Sequence, residues 1–459
     1  MDSIMQCDEL FEKAVEHYLD DNWGLIVDDL RTLVRIPSVD EHDRACEGAP
    51  YGPGPRAALD AAVAIARRMG FDTHECEGFI AYADWPGESE TQLGIICHVD
   101  VVPAGPGWQF EPFELTEHDG YLVGRGTSDD KGPLVICLHA LKFWKDAGAR
   151  FPYTVRFLFG ADEEVGMHDV KYYRTHFDDP AFLFTPDAEF PVCYGEKGIY
   201  QATATSAPMQ NRTIASIGGG TSCNAVPGEA HAAFVDSSHG ELTMQGRTAH
   251  ASTPELGVNA IFELCKKLTE EGFDFKKSPM LDFISKELVP CTSYEYTGCT
   301  VKDESGTVTA NPSILKCTRD LESLIIDVRC PISYDMEKIT AHISELAGKY
   351  GLSASTRSAM APVCKDKNSP EIKILTDVWN ENMSKYSGFE ESFREKYSEP
   401  LAIGGGTYAR HIPNTIAFGL QAPWQEDVCH QANESRRLSD FEADIDVITE
   451  AIKRMSSEI

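Results

Sequence analysis

The sequence predicts an α/β fold with a mostly parallel central sheet, into which a second, α+β domain is inserted. Helical and strand-like patterns alternate over residues 24–200 and return after residue 362, which is typical of layered α/β proteins. Between these parts, polar and apolar residues alternate along β-rich segments with a few helices. We therefore predict a first domain made of residues 1–198 and 363–459, and an inserted domain at residues 199–362.

Short apolar runs predict the buried strands of the first domain. The runs are LGIICHV (93–99), YTVRFLFGA (153–161), FLFTP (182–186) and TIAFGL (415–420). Continuous apolar runs of this length, bounded by polar turn residues, are typical of strands that are covered on both faces. Apolar residues at helical spacing predict further helices, and Ser439 with Glu442 forms a capping box that would begin the last of them.

The composition excludes several classes of protein. The 459 residues are 42% hydrophobic and 25% charged, which is ordinary for a globular protein, and the formal net charge is −32. This excess of acid argues against nucleic acid or an anionic membrane as a partner, because phosphate binding needs basic patches. No run approaches the roughly 18 apolar residues of a membrane-spanning helix.

The N-terminal segment and the cysteines predict a cytoplasmic protein. The segment MDSIMQCDELFEKAVEHYLDD is acidic and lacks the basic-then-apolar layout of a signal peptide. The 14 cysteines are scattered without a CxxC pair, and several, including Cys97 and Cys137, lie in apolar runs. This pattern indicates reduced, buried thiols and not a disulfide framework.

Acidic residues and histidines follow the predicted strands of the first domain. Because parallel strands present functional groups at their carboxyl ends, we expect these side chains to meet at one edge of the sheet. They are His98, Asp100, Asp129, Asp130, Asp162, Glu163, Glu164, Asp187, Glu189 and His430. So many acids together would raise one another's pKa, and bound cations are the natural compensation. The pattern therefore predicts a metal site.

Each of these motifs alone also has an ordinary interpretation. The HVD sequence that begins at His98 fits a surface pair, and the acidic pair that begins at Glu163 fits a solvated turn. The DDK sequence that begins at Asp129 fits a helix N-cap beside a surface charge. Their order along the chain, with strand-like flanks, favours one shared site.

Taken together, the motifs resemble those of a known family. They are, in order, HVDVVPAGPGW, GRGTSDDKGP, ADEEVG, PDAEFP, GRTAHASTPELGVNA and CHQANE. Over about residues 24–455 the chain resembles the two-zinc peptidase family of aminoacylases, acetylornithine deacetylases, carnosinases and PepV-type dipeptidases. SDDKGP, TPDAEFPV and IGGGTYAR are most similar to the PepV-type dipeptidases. The resemblance implies a zinc-peptidase catalytic domain with an inserted α+β lid domain.

The resemblance also implies two zinc ions per chain, with manganese or cobalt as possible replacements. His98 and Asp187 would bind one ion, Glu164 and His430 the other, and Asp129 would bridge both. Imidazole and carboxylate ligands suit zinc, and two such ions hold a shared hydroxide and polarise a carbonyl group.

Two further residues receive catalytic roles from the resemblance. Asp100 would accept the second ring N–H of His98 and so orient the imidazole. Glu163 would act as the general base, taking a proton from the bridging water and delivering it to the leaving amine. A spare surface acid is the ordinary alternative for Glu163.

The inserted domain supplies the predicted substrate contacts. In LIIDVRCP, apolar residues alternate onto one face of a strand and Arg329 takes the other face. By the resemblance, Arg329 clamps the substrate's C-terminal carboxylate, a role suited to the guanidinium fork. A surface salt bridge is the alternative for this residue.

Lid and loop residues complete the predicted site. His250 is similar to the family histidine that stabilises the oxyanion, and Asn224 would assist it, although CNAVP departs from the methionine-containing version of PepV-type enzymes. Gly405, Gly406 and Thr407 would offer backbone N–H groups to the substrate carboxylate. Loop capping and a plain turn are the ordinary alternatives for these residues.

We therefore predict a zinc-dependent dipeptidase that uses a metal-bridged hydroxide with Glu163 as the general base. The long insert resembles two lids fused in one chain, so His250 would serve its own active site and the enzyme would be a monomer. An N-acyl-amino-acid deacylase with the same site is the first alternative. A non-catalytic metal-binding protein is a more remote one. Small peptides are the expected partners, with neither nucleic acid nor membrane.

Overall fold

The computed structural model describes residues 8–207, 213–235, 240–289 and 302–458. The first seven residues, which the sequence-based division assigns to the first domain, therefore lie outside the described part of the chain. Within the described residues, no helix combines the length and the apolar character that crossing a membrane requires.

The chain folds into two compact units. The first unit contains the residues up to Tyr194 together with Lys365–Leu401 and Thr407–Ile459. The second unit contains Gly195–Cys364 and Ala402–Gly406. The chain returns briefly to the second unit at Ala402–Gly406. No change in composition marks this return, so it could not be predicted from the sequence.

A mixed sheet forms the centre of the first unit. Among the described residues the sheet has nine strands, and seven of them are, in spatial order, Asp72–Cys76, Ile80–Trp85, Thr154–Gly160, Gln92–His98, Phe182–Thr185, Thr415–Ala417 and Cys193–Glu196. The four strands from Thr154–Gly160 to Thr415–Ala417 run parallel, whereas the pairs at the two edges are antiparallel. The predicted mostly parallel sheet is thus parallel in its middle, and one antiparallel edge arises because a short hairpin joins its two strands.

Helices and small strands surround this sheet. The helices are Asp8–Val34, Pro53–Arg68, Lys131–Asp146, His168–His176, Pro370–Asn382, Phe393–Lys396 and Leu438–Glu458. Lys131–Asp146 is buried along most of its length, and the indole N–H of Trp144 donates to the carbonyl of Thr449 at 3.0 Å.

Short strands add two small sheets to the first unit. Thr116–His118, Tyr121–Val123 and Ser435–Arg437 form a three-stranded antiparallel sheet, and Leu420–Gln421 pairs with Ala188–Glu189. The strand Ser435–Arg437 leads directly into the last helix. That helix therefore begins at Leu438, so the prediction that Ser439 is its N-cap is wrong.

The second unit consists of an antiparallel sheet with helices. In spatial order its strands are Glu241–Gln245, Glu229–Phe234, Ile214–Gly219, Thr309–Cys317, Glu322–Cys330, Gly198–Ser206 and Ser353–Met360. Its helices are Ala260–Glu270, Pro279–Phe283, which continues as the π-helical turn Ile284–Leu288, and Met336–Lys349. Leu324, Ile326, Val328 and Cys330 all join the core of this unit, which confirms the predicted alternation along their strand.

Candidate functional site

The predicted metal ligands of the first unit lie at one edge of its central sheet. His98 is the last residue of the strand Gln92–His98. Glu163 and Glu164 follow the strand on one side of it, Thr154–Gly160, and Asp187 follows the strand on its other side, Phe182–Thr185. The carboxyl ends of parallel strands meet at the same sheet edge, which is where α/β folds place functional groups. The parallel pairing therefore brings together residues that are distant in sequence.

His98, Asp129 and Asp187 form the first group of possible ligands. The Nε2 atom of His98 lies 3.0 Å from Oδ1 of Asp129 and 3.8 Å from Oδ2 of Asp187. One ligand atom from each residue fits within 4.8 Å of the others. The His98 side chain is fully buried, so its imidazole is held in one place by packing. This geometry permits a single cation to contact all three side chains.

Asp129, Glu164 and His430 form the second group. Nε2 of His430 lies 2.9 Å from Oδ2 of Asp129 and 3.1 Å from Oε2 of Glu164. His430 has a backbone φ of +63°, a left-handed conformation that costs a residue with a Cβ about 1–2 kcal/mol. Each oxygen of Asp129 thus faces a different histidine, which is the arrangement expected of a bridging carboxylate.

Asp100 connects the two groups. The backbone carbonyl of Asp100 lies 3.0 Å from Nδ1 of His98, whereas its carboxylate Oδ1 lies 3.4 Å from the same nitrogen. The other carboxylate oxygen, Oδ2, accepts the backbone N–H of Glu164 at 3.0 Å. Asp100 therefore contacts His98 as expected, although the nearer acceptor is its backbone carbonyl oxygen. The Asp100 carboxylate also holds the turn that carries Glu164.

Burial and mutual repulsion change the acidity of the clustered carboxyl groups. Burial, followed by the charge of Asp187, raises the pKa of Glu163 well above its ordinary value. Burial and the charge of Asp129 raise the pKa of both Glu164 and Asp187. A nearby cation would reverse these shifts, because it stabilises the ionised carboxylates.

The imidazoles respond in the opposite sense. Burial alone would lower the pKa of His430, but the charge of Glu164 and the hydrogen bond with Asp129 outweigh it and raise that pKa to about 12. The pKa of His98 is likewise raised against the effect of burial, by Asp100 and Asp129. Both imidazoles therefore lie in strongly negative surroundings, where a positive charge is stabilised.

The donors of this cluster fit a divalent metal. Among the described residues, Oε1 of Glu163 and Oε1 of Glu164 are buried without a hydrogen-bond partner. Buried polar atoms are normally satisfied, so orphaned carboxylate oxygens beside imidazoles indicate a missing positive partner. Imidazole nitrogen and carboxylate oxygen are the donors that zinc takes, and manganese or cobalt accept the same set.

Glu434 supports the bridging aspartate, a role that sequence reasoning missed. Its buried Oε1 accepts the backbone N–H groups of Gly126, Ser128 and Asp129 at 3.0, 2.8 and 3.1 Å. Its Oε2 accepts from Nη1 of Arg125 at 2.6 Å. Glu434 closes the CHQANE motif, but an acid that binds main-chain N–H groups has no spacing signature. It holds the loop that carries Asp129.

Asp130 is a second supporting residue, and its role was not predicted. Its Oδ2 accepts the backbone N–H of His98 at 2.9 Å. Burial raises the pKa of Asp130 to about 8. Asp130 therefore holds the main chain at His98, and Glu434 holds the main chain at Asp129.

In the second unit, Arg329 is buried and hydrogen-bonded. Its Nε donates to Oδ1 of Asp327 at 2.7 Å, its Nη2 approaches Oδ2 of the same carboxylate at 3.4 Å, and its Nη1 donates to the carbonyl of Gly404 at 2.8 Å. The residue is only 3% exposed, so the surface salt bridge considered as an alternative is wrong. A guanidinium has five N–H groups, and these contacts use three of them. One N–H on Nη1 and one on Nη2 therefore remain as donors.

His250 and Asn224 are neighbours in the second unit. The backbone N–H of Ala251 donates to the carbonyl of Asn224 at 2.8 Å, which joins the two loops. Nδ1 of the exposed His250 lies 2.6 Å from Oγ of Ser252. The ring is therefore oriented by the serine next to it.

The glycine-rich loop is divided between the two units. Gly405 and Gly406 belong to the second unit and Thr407 to the first. Neighbouring Gly404 must lack a side chain, because an added Cβ would lie 2.5 Å from Cβ of Ser252. Oγ1 of Thr407 accepts the backbone N–H of Ala409 at 3.1 Å and caps the short turn Tyr408–Arg410.

The supporting role of Glu434 predicts a large loss of stability on truncation. Glu434→Ala leaves Arg125 and three main-chain N–H groups buried without their acceptor, and should lower the free energy of unfolding by about 3–5 kcal/mol. Glu434→Gln keeps a carbonyl oxygen for the N–H groups and should lose clearly less. Urea unfolding with excess chelator measures both without a contribution from bound metal.

The matched control for this test is Glu391→Ala. Glu391 also pairs with an arginine, Arg394, at 2.8 Å, but its side chain is 78% exposed. Exposed pairs contribute about 1 kcal/mol or less, so this variant should be nearly as stable as the wild type. A Glu434→Ala protein as stable as the control would contradict the supporting role.

Known proteins with similar sequences place this chain in a family. The profile of peptidase family M20/M25/M40 matches residues 94–454. A Staphylococcus aureus protein that is named as a dipeptidase is 31% identical, over 93% of this chain and 95% of its own. A Staphylococcus haemolyticus protein with the same designation is 31% identical, over 90% of this chain and 92% of its own.

Solved structures share the fold. Human carnosine dipeptidase 1 is similar with a TM-score of 0.59 at 14% identity, over 97% of this chain and 99% of that one. Dug1p from Saccharomyces cerevisiae, described as a di-peptidase, has a TM-score of 0.60 at 14% identity, over 97% of this chain and 98% of that one. These findings confirm the predicted α/β fold class, the family resemblance and the peptidase class of enzyme. The chain belongs to peptidase family M20/M25/M40.

Proposed function

We propose that the protein is a metal-dependent dipeptidase. The observation that carries this proposal is the pair of ligand groups that share Asp129, with the buried Glu163 directly before the ligand Glu164 in the chain. Relatives that are named as dipeptidases match nearly the whole chain, which supports dipeptides as the substrate class. A small peptide is accordingly the proposed binding partner.

We propose two divalent cations in this site, with zinc as the metal and manganese or cobalt as replacements. His98 and Asp187 would hold one cation, Glu164 and His430 the other, and Asp129 both. When bound, such a pair lowers the pKa of a water molecule and polarises a substrate carbonyl. Asp100 would keep His98 and the Glu164 turn in place for this binding.

Glu163 would move the proton. Its neighbour Glu164 is turned towards His430, whereas Oε1 of Glu163 is buried without a hydrogen-bond partner among the described residues. A carboxylate in this position can take a proton from the attacking water and deliver it to the leaving amine nitrogen.

Arg329 would bind the C-terminal carboxylate of the substrate. Asp327 fixes the guanidinium from one side, and the two remaining N–H groups lie on adjacent terminal nitrogens. Two parallel N–H donors match a carboxylate, which arginine binds in a bidentate manner. Gly405, Gly406 and Thr407 would add backbone donors for the same group.

His250 would donate to the carbonyl oxygen of the scissile bond as negative charge develops there, and Asn224 would assist it. The hydroxyl of Ser252 next to Nδ1 fixes the ring for this role. We also propose a monomer in the cytoplasm. Buried thiols such as Cys76, Cys97 and Cys265 form no disulfide, in agreement with a reducing compartment.

Replacing Glu163 separates proton transfer from metal binding. Glu163→Gln cannot accept a proton, so kcat on a dipeptide should fall by about 10²–10⁴ while the bound metal stays unchanged. Glu164→Gln is the matched control in the same turn and should instead lose bound metal. Steady-state kinetics and metal analysis of both purified variants provide the test. Normal turnover by Glu163→Gln would contradict the assigned role.

A panel of three related substrates tests the substrate class. The panel contains a free dipeptide, the same dipeptide with a C-terminal amide, and the N-acetyl derivative of its second amino acid. The wild type should hydrolyse the free dipeptide with the highest kcat/KM, at least about tenfold above the N-acetyl compound, a difference of about 1.4 kcal/mol. A preference for the N-acetyl compound would identify a deacylase instead.

The same panel tests the carboxylate clamp. Arg329→Ala should reduce kcat/KM on the free dipeptide by about 30-fold or more, because about 2 kcal/mol or more is lost with one partner of a buried charge pair. The amide has no carboxylate and should be affected much less. An equal loss of kcat/KM on both substrates would show that the role of Arg329 is only structural.

A further inference from the structure

A second cluster of imidazoles and carboxylates lies outside the site described above. His42, Asp162 and His168 offer ligand atoms that all lie within 4.8 Å of one another. Nε2 of His42 is 3.7 Å from Oδ1 of Asp162 and 3.4 Å from Oδ1 of Asp40. Nδ1 of His168 is 2.6 Å from Oδ2 of Asp162. Two imidazoles and the Asp162 carboxylate therefore converge on one point of the first unit, and Asp40 adjoins them at His42.

The two carboxylates at the base of this cluster are buried, and three of their four oxygens have no hydrogen-bond donor among the described residues. The side chains of Asp40 and Asp162 are 4% and 0% exposed. Among the described residues, neither oxygen of Asp40 nor Oδ1 of Asp162 has a hydrogen-bond partner. Buried polar atoms are normally satisfied, and a bound cation would supply the partner that these oxygens lack.

The two histidines lie on the open side of the acids. The His42 and His168 side chains are 47% and 56% exposed, so a cation from solvent can reach the carboxylates between them. The rings stand nearly perpendicular, at 86°, with centroids 6.1 Å apart. Asp162 and the two imidazoles thus surround an approach path that ends at the unpartnered oxygens.

The position of the His168 ring depends on a glycine. A Cβ at Gly166 would lie 2.2 Å from Cε1 and 2.5 Å from Nδ1 of His168, so a side chain there would displace the ring. The backbone N–H of His168 also donates to Oδ2 of Asp162 at 2.7 Å. The imidazole is therefore held against Asp162 by the main chain, which preorganises both groups as ligands.

We propose that Asp40, His42, Asp162 and His168 bind a further divalent cation, for which zinc is the best fit. Two imidazole nitrogens and two carboxylate oxygens complete a four-coordinate shell, which is typical of structural zinc sites that leave no position open for substrate. None of these residues belongs to the dinuclear site. The ion would join the turn at 40–44 to the turn at 162–168, and the second turn also carries Glu163 and Glu164.

Protonation of the two buried acids is the competing explanation. It satisfies the two acids but gives the converging imidazoles no role. The two explanations differ in one quantity, which is the number of metal ions that this cluster retains. Counting ions is independent of dipeptidase activity, so the result can be interpreted even if the proposed function is wrong.

The experiment compares zinc content between matched variants. Metal-depleted wild type and His42→Ala/His168→Ala proteins are incubated with zinc alone, desalted and analysed by mass spectrometry of the metal. The double variant should retain one zinc fewer per chain than the wild type. The control is His74→Ala/His118→Ala, whose side chains are also 47% and 56% exposed beside aspartates, and it should match the wild type.

Equal zinc content in the wild type and His42→Ala/His168→Ala would overturn the proposal. Asp40→Asn provides a second test should the double variant fold poorly, because it preserves the shape of the buried side chain. It should also retain one zinc fewer per chain, and unchanged zinc content in a folded Asp40→Asn protein would contradict the site as well.

Discussion

Asp129 presents one carboxylate oxygen to His98 and the other to His430, and the remainder of the site is organised around this division. Two acids hold this arrangement through main-chain groups. Glu434 accepts the backbone N–H of Asp129, and Asp130 accepts the backbone N–H of His98. These supports are buried, so they act at full strength and would be costly to remove. The ligands are therefore set in place before any cation binds.

This placement brings acids together at an electrostatic cost. Burial and mutual repulsion raise the pKa of Glu163, Glu164 and Asp187, so the folded chain favours protons or cations at this edge of the sheet. Cation binding and proton release are therefore coupled, and metal affinity should rise with pH. The net charge of −32 thus contains a functional part, although most of the excess acid lies elsewhere on the chain.

The sequence predicts the fold and the clustered ligands because both depend on local patterns. Apolar runs mark the parallel strands, and polar residues directly after them mark the strand ends that meet in space. Glu434 could not be predicted, since its partners are main-chain groups about 300 residues earlier in the chain. Likewise, His42 and His168 lie in separate segments of the chain, and nothing in their spacing indicates that they meet. Arg329 was found by its motif, but its buried pairing with Asp327 required the structure.

Anomalous diffraction from zinc-loaded crystals tests most directly whether the Asp129 cluster is a dinuclear metal site. Two zinc peaks should appear roughly 3.5–4 Å apart, one beside His98 and Asp187 and the other beside Glu164 and His430, with Asp129 between them. A single ion at this cluster, or two ions that do not share Asp129, would contradict the bridged arrangement on which the proposed dipeptidase rests.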